Sequence, residues 1–244
     1  MISLCLNTEE ISEAIYSVSG SDYIKSVMCL YLHSYGTDYQ FSEFYLQYNN
    51  DVCTAVISRY NTFVYVICND NADFNEISAF LCSFSGSRIL YDSYKLNFKS
   101  LNKCYIMSKN GIESRNSSDT TEVSTLTKAV ASLVCKSMNI SDETDFYLNL
   151  SHQVRHGNLS VFSKKIAESV VSVAGVSKEF SGVSAVTFVY TDEYFRGNGF
   201  SREVLDIVCC NKNIKYTLVC EEHNIKFYEK CGFMQEQNCY ETRL

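Results

Sequence analysis

The chain of 244 residues contains no proline and no tryptophan. Proline-rich linkers are therefore excluded, and every residue keeps its backbone N–H as a hydrogen-bond donor. Its 12 cysteines form no Cys-x-x-Cys pair, so neither a zinc ribbon nor a dithiol redox motif is present. They are spread among apolar neighbours, as in Met28-Cys29-Leu30, Leu81-Cys82 and Val208-Cys209-Cys210, a pattern of small buried thiols in a reducing cytoplasm. No apolar run nears the roughly 18 residues that cross a bilayer. The segment Met1 to Leu6 carries no basic leader and runs into Glu9, Glu10 and Glu13. The expectation is a soluble, cytoplasmic protein with no membrane partner. Basic excess is lacking as well: 21 Lys+Arg stand against 28 Asp+Glu, a formal net charge of -7. A nucleic-acid partner is not expected, and a cationic one is mildly favoured.

What is present is a 46% hydrophobic chain, enough for a packed core, whose length falls between one and two domains. A polar run, Asn110-Gly111-Ile112-Glu113-Ser114-Arg115-Asn116-Ser117-Ser118-Asp119-Thr120-Thr121, reads as a loop. It divides the chain into a domain at 1–110, a linker at 111–120 and a second domain at 121–244.

In the first half, Ser21-Asp22 precedes Ile24, Val27, Met28, Tyr31 and Leu32 at helical spacing, which predicts a capped helix. Aromatic and β-branched runs at 44–48, 54–60 and 62–68, broken at Asn50-Asp51 and Asn61, predict a meander of strands. A helix over 73–83 and a strand over 88–91 follow. The second half is expected to hold helices at 122–138 and 142–156, the latter ended by Gly157, then strands at 159–163, 169–176 and 183–190. Lys164-Lys165 and 177–182 are read as the joining turns. A helix at 199–210, a strand at 216–220, a helix at 224–230 and a final pair of strands complete it. The fold class is mixed α/β, a mixed sheet flanked by helices, preceded by a smaller α/β domain.

The segment that bears chemistry runs from Val183 to Ser201. A buried strand, Val183 to Tyr190, leads through Thr191-Asp192-Glu193-Tyr194-Phe195-Arg196-Gly197-Asn198-Gly199 into a helix marked by Phe200, Val204, Leu205, Val208 and Cys209. A helix N-terminus offers unpaired N–H groups and the positive end of the helix dipole, and glycines let an anion approach the backbone. Arg196 adds a cation. The loop therefore reads as a phosphate or pyrophosphate cradle. The plainer alternative makes Asn198-Gly199 a type I′ hairpin turn. A second segment, Tyr216 to Phe233, reads as strand, short helix capped by Gly232, and strand, with Phe227 and Phe233 as core aromatics and Tyr228 one helical turn past a strand end.

In this order the two segments resemble the GNAT superfamily of acyl-CoA-dependent N-acyltransferases, over about 120–244. Tyr194-Phe195-Arg196-Gly197-Asn198-Gly199 is similar to the family's Gln/Arg-x-x-Gly-x-Gly/Ala signature, with Tyr194 where Gln or Arg is usual. The resemblance implies acetyl-CoA as cosubstrate and no metal. Its pyrophosphate would be held by Arg196, Gly197, Asn198, Gly199, Phe200 and Ser201. The backbone of Phe188, Val189 and Tyr190 would pair with the acetyl and pantetheine groups. Phe227-Tyr228-Glu229-Lys230-Cys231-Gly232-Phe233 resembles the family's other motif, which makes Tyr228 the acid that protonates the departing thiolate. Where the family commonly has Asn, seven residues earlier, this chain has Glu221; Asn224 is the nearest asparagine and a further candidate for the cofactor.

The implied reaction is direct attack of a small-molecule primary amine on the acyl carbonyl in a ternary complex. It needs a base, for which Glu221 or Glu222, or Glu168 at the head of an earlier strand, are the candidates. An alternative is a non-catalytic acyl-CoA-binding sensor or scaffold of the same fold. Two other chemistries are weaker. Cys220 and His223 lack a third group to orient the histidine. His152 and His156, one helical turn apart, lack a third metal ligand and read as cations at a helix C-terminus. Residues 1–110 carry no Gly-x-Gly loop, and their strand–helix order is that of a degenerate copy of the same fold.

Overall fold

The computed structural model describes residues 1–96, 98, 101–113, 120–123, 126–138, 140 and 142–244. Of the expected linker, 114–119 lie outside the described residues. In chain order the elements are β1 (Ile2–Cys5), α1 (Thr8–Ser17), α2 (Asp22–Tyr35), β2 (Ser42–Asn49), β3 (Val52–Tyr60), β4 (Phe63–Cys68), α3 (Phe74–Leu81), β5 (Arg88–Tyr91) and β6 (Asn102–Asn110). Then come β7 (Thr120–Glu122), α4 (Lys128–Met138), α5 (Glu143–Arg155), β8 (Leu159–Ile166), β9 (Ser169–Ser177), β10 (Val183–Thr191), α6 (Phe200–Val208), β11 (Lys215–Cys220), α7 (Ile225–Lys230) and β12 (Met234–Arg243). They form two compact units. The first is Met1–Met107 with Val219–Lys226 and Gln235–Leu244, and the second is Ser108–Leu218 with Phe227–Met234.

The first unit has the strand order β1-β2-β3-β4-β5-β12-β6. Its meander is set by local chemistry. Asn49 pairs with Val52, leaving Asn50 and Asp51 at φ +50° and +61°, the left-handed pair that a two-residue hairpin turn demands. Ser21 caps α2 by accepting from the Ile24 N–H at 3.3 Å. Buried Ala55, Ile57, Val64, Val66, Ile77, Leu81, Ile89 and Tyr91 fill the space between the meander and α3. After α3 the chain returns as β5, parallel to β4.

The second unit has the order β11-β10-β9-β8-β7, with β11 parallel to β10 and β8, β9 and β10 antiparallel. Helix α6 packs its Val204, Leu205 and Val208 face on β8 and β9. Both units therefore run β-α-α-β-β-β-α-β, each with an antiparallel meander followed by a helix and a parallel strand. The first half is a second copy of the architecture of the second.

Several elements differ from expectation. The helix expected from 122 begins at Lys128, because Thr120–Glu122 form a strand paired with Phe162–Lys164 of β8; two adjacent β-branched threonines suit that pleat. Lys164-Lys165 is not a turn: β8 continues to Ile166 through a register shift there, and Ala167, at φ +51°, makes the turn with Glu168. The final pair of strands is one long strand, β12, whose Tyr240–Arg243 pair with β5. Strands β1 and β6 and helix α1 have no counterpart in the sequence reading. No helix among the described residues is long and apolar enough to cross a membrane.

Candidate functional site

The site is built on β10. Its pairing with β11 covers Val183, Ser184 and Ala185, and beyond them the pairing described is with β9 alone. A register shift between Val186 and Phe188 inserts Thr187 as a bulge, bending the strand where it leaves β11. Gly175 opposite is required: a Cβ there would come within 2.4 Å of the Phe188 ring, so the absent side chain gives that ring its place. Phe188 and Val189 are half-buried and Tyr190 is buried. One edge of the strand thus carries backbone groups available to an extended partner.

A short 3-10 helix, Glu193–Phe195, follows, started by Asp192, whose carboxylate accepts from the Tyr194 N–H at 3.0 Å. Tyr194 itself is 84% exposed. Gly197 and Gly199 have φ of +83° and +84°, the left-handed region that glycine enters without a Cβ penalty. Asn198 is not left-handed, so the hairpin-turn alternative falls. Its side-chain amide donates to the carbonyls of Phe195 and Arg196 at 3.1 and 3.5 Å, closing the loop. Arg196 folds back: its Nε donates to the Thr191 carbonyl at 3.3 Å and its guanidinium lies 5.6 Å from the Tyr190 ring centroid. The N-cap of α6 is Gly199, and no side chain bonds to the helix N-terminus. Its amides and dipole are left to an anion.

Residues that the sequence did not single out, together with Ser201, hold this loop in place. The Ser172, Thr191 and Ser201 hydroxyls form a chain from β9 through β10 to the first turn of α6, with Ser172 2.8 Å from Thr191. Lys164, 9% exposed at its side chain, lies 2.9 Å from the Glu203 carboxylate. That pairing offsets the one acidic residue in the first turn, which would otherwise oppose an anion there. None of these contacts has a local motif, since each joins residues of different elements.

In the first unit the matching helix N-terminus is filled by the chain itself. Asp73 caps α3, accepting from the Asn75 and Glu76 amides at 3.1 and 3.0 Å. Glu76 in the same turn lies 3.4 Å from the Met1 ammonium and 2.7 Å from the Gln47 amide nitrogen. A carboxylate, Asp73, stands at the cap position that Gly199 holds in the second unit. The second cradle fits a pyrophosphate, with no side chain in it and nothing within 4 Å of a Cβ built on Gly197 or Gly199; the first does not.

Tyr228 is on α7, half-buried, its ring edge-on to Phe227 and Phe233 at 5.0 and 5.9 Å. It belongs to the second unit, whereas Glu221, Glu222 and Asn224, a few residues earlier, belong to the first. Glu221 and Glu222 are exposed, and Glu221 lies 3.4 Å from His223. Asn224 is half-buried at the end of a short 3-10 helix. Glu168 is exposed in the β8–β9 turn. Cys220 is buried, its thiol directed to the Met107 sulfur at 3.4 Å and pushed up to about 11 by burial, which removes it as a nucleophile beside His223. The His152 and His156 rings lie tilted at 31° with centroids 4.0 Å apart, and His156 Nδ1 lies 2.8 Å from the His152 carbonyl. Among the described residues no three of His, Cys, Asp and Glu converge as a metal site.

No protein-family model and no curated protein matches the sequence. Solved structures match its fold along nearly the whole chain. A putative acetyltransferase from Pyrococcus horikoshii aligns with a TM-score of 0.65 at 13% identity, over 100% of this chain and 88% of its own. A tandem GNAT protein from the clavulanic acid biosynthesis pathway aligns at 0.62 and 7% identity, over 99% and 98%. An acetyltransferase of the GNAT family from Colwellia psychrerythraea aligns at 0.59 and 10% identity, over 99% and 98%. The two-unit chain has the fold of the GNAT acetyltransferases.

Proposed function

We propose that the chain is an acetyl-CoA-dependent N-acetyltransferase that acts on a primary amine of a small molecule. One observation carries the reading: of two equivalent helix N-termini, that of α6 is entered through left-handed glycines and left uncapped, while that of α3 is capped by Asp73.

In this reading the amides of Gly197 to Ser201, with Arg196 beside them, hold the pyrophosphate. The free edge of β10 at Phe188, Val189 and Tyr190 aligns the pantetheine arm and receives the charge that develops on the acyl oxygen. Acetyl-CoA supplies an activated acyl carbonyl. The amine nitrogen forms the new C–N bond as the C–S bond breaks. Tyr228 gives its phenolic proton to the thiolate, and Glu221 or Glu222, directly or through water, takes the proton from the amine. Asn224 is a further candidate to bind CoA. The acidic chain suits a cationic amine, and twelve free thiols suit a reducing cytoplasm.

The non-catalytic acyl-CoA-binding reading draws on the exposure of Glu221 and Glu222, which sit as solvated carboxylates do. The test incubates the protein with acetyl-CoA and a panel of polyamines, amino acids, aminoglycosides and peptides, following free thiol. Tyr228→Phe is expected to lower turnover by about 10²-fold or more without weakening acetyl-CoA binding. Tight CoA binding with no turnover on any amine selects the binding module, and no CoA binding overturns both.

A further inference from the structure

Lys109, near the end of β6, is a buried cation that no step above uses. Its side chain is 6% exposed. The ammonium donates to the Cys231 carbonyl at 3.1 Å, lies 3.9 Å from Asp206 Oδ1 and sits 4.9 Å from the Phe233 ring centroid. All four residues belong to the second unit. Burying an ammonium is costly unless its donors are satisfied, and an apolar residue of similar length would fill the same space without that cost. What the ammonium does is join two helices. Asp206 is on α6, the helix that opens from the glycine loop. Cys231 is the first residue after α7, the helix that carries Tyr228.

The turn that Lys109 grips is the one that orients Tyr228. Gly232, at φ +87°, lets the chain reverse so that the Phe233 and Cys231 amides both donate to the Tyr228 carbonyl at 3.0 Å. The Tyr228 ring packs edge-on to the Phe233 ring, which Lys109 also contacts. A single ammonium therefore holds the end of the turn, the ring against which the phenol rests, and the helix of the anion cradle.

We infer that Lys109 is a positioning residue, fixing the α7 turn and with it the Tyr228 hydroxyl relative to α6. The inference rests on the reading of Tyr228 as the acid for the thiolate, and two measurements separate their failures. The first needs no turnover. Amide hydrogen exchange of Lys109→Met is expected to be at least ten-fold faster than wild type at Cys231 and Phe233, with β9 and β10 amides unchanged. Asp206→Asn, a change on a partly exposed helix face, is expected to speed the same two amides by about three-fold through Lys109. It keeps the test open if Lys109→Met does not fold. Unchanged exchange at both amides in either folded variant overturns the inference, whatever the enzyme assay shows.

The second measurement is a double-mutant cycle in the thiol-release assay. Lys109→Met is expected to lower kcat at least ten-fold with the acetyl-CoA Kd unchanged within two-fold, and to slow Tyr228→Phe no further. An equal loss on both backgrounds, or a parallel loss of CoA affinity, shows a general structural role and overturns the positioning of Tyr228. A wild-type protein without turnover removes the acid reading and leaves the exchange experiment to decide the link.

Discussion

Replacing Gly199 tests the cradle most directly, because its two effects can be worked out separately. At φ +84° an L-residue pays roughly 1–2 kcal/mol of backbone strain, and no atom within 4 Å adds a clash. In Gly199→Ala that strain falls on the loop conformation that aims the amides. At about 1.4 kcal/mol per ten-fold, the acetyl-CoA Kd is expected to rise roughly 5- to 30-fold. Gly86→Ala is the control, since Gly86 is also left-handed, at φ +80°, with open space around it, but in the first unit. It should lose similar stability and no affinity. Gly199→Asp goes further. Over glycine, an N-cap carboxylate stabilises a helix by only about a few tenths of a kcal/mol, so most of the strain remains. The same carboxylate about 4 Å from a phosphate opposes it by about 1 kcal/mol in water and about 4 kcal/mol at an effective dielectric of 20. Stability should then fall about as it does in the alanine variant while affinity falls further. Isothermal titration calorimetry and urea melts on the four proteins give both quantities. Wild-type affinity in Gly199→Asp, or an equal loss in Gly86→Ala, would falsify the assignment of the cradle.

Two further outcomes are expected. Because Asp73 fills the α3 N-terminus while that of α6 is open, calorimetry should return one CoA per chain; a second equivalent of similar affinity would show that the first unit also binds it. Burial pushes the thiols of Cys29 up to about 11 and of Cys68 and Cys209 up to about 12, from 9.0. Folded-state values raised in this way mean the native protein keeps protons that the unfolded chain releases. The stabilisation is whole below pH 9 and declines from there toward pH 11–12, by about 1.4 kcal/mol per thiol per pH unit. At pH 10 the three together lose up to about 4 kcal/mol, a large share of a typical 5–15 kcal/mol. Urea midpoints that coincide at pH 8 and pH 10 would contradict it.

Much of the local structure was legible in the residues. Ser21, Asp73 and Asp142 each precede a helical period and each caps a helix, because a short side chain reaches amides two or three residues on. Asn50, Asp51 and Asn61 tolerate left-handed φ and make the expected turns. The strand, glycine loop and helix from Val183 to Val208 lie as periodicity placed them. The misreadings share a cause. Thr120 and Thr121 read as loop and Glu122 as the start of a helix because three residues are too few to show a period, and only β8 beside them makes a strand. Lys164-Lys165 suggested a turn because lysines are usually solvated, whereas Lys164 is covered and paired with Glu203, 39 positions away in the chain.

The sequence by itself determined the caps, the turns, the meander of the first half and the glycine loop, all of which depend on neighbours within a few residues and on the backbone limits of glycine and asparagine. Tertiary structure alone decided where β10 leaves β11, that Lys164 meets Glu203 under the first turn of α6, and that the Lys109 ammonium meets a carbonyl 122 residues away. Those outcomes depend on strand register and on which side chains register brings together. A buried charge or an unpaired amide is satisfied only by what the fold carries to it, and no local pattern records that partner.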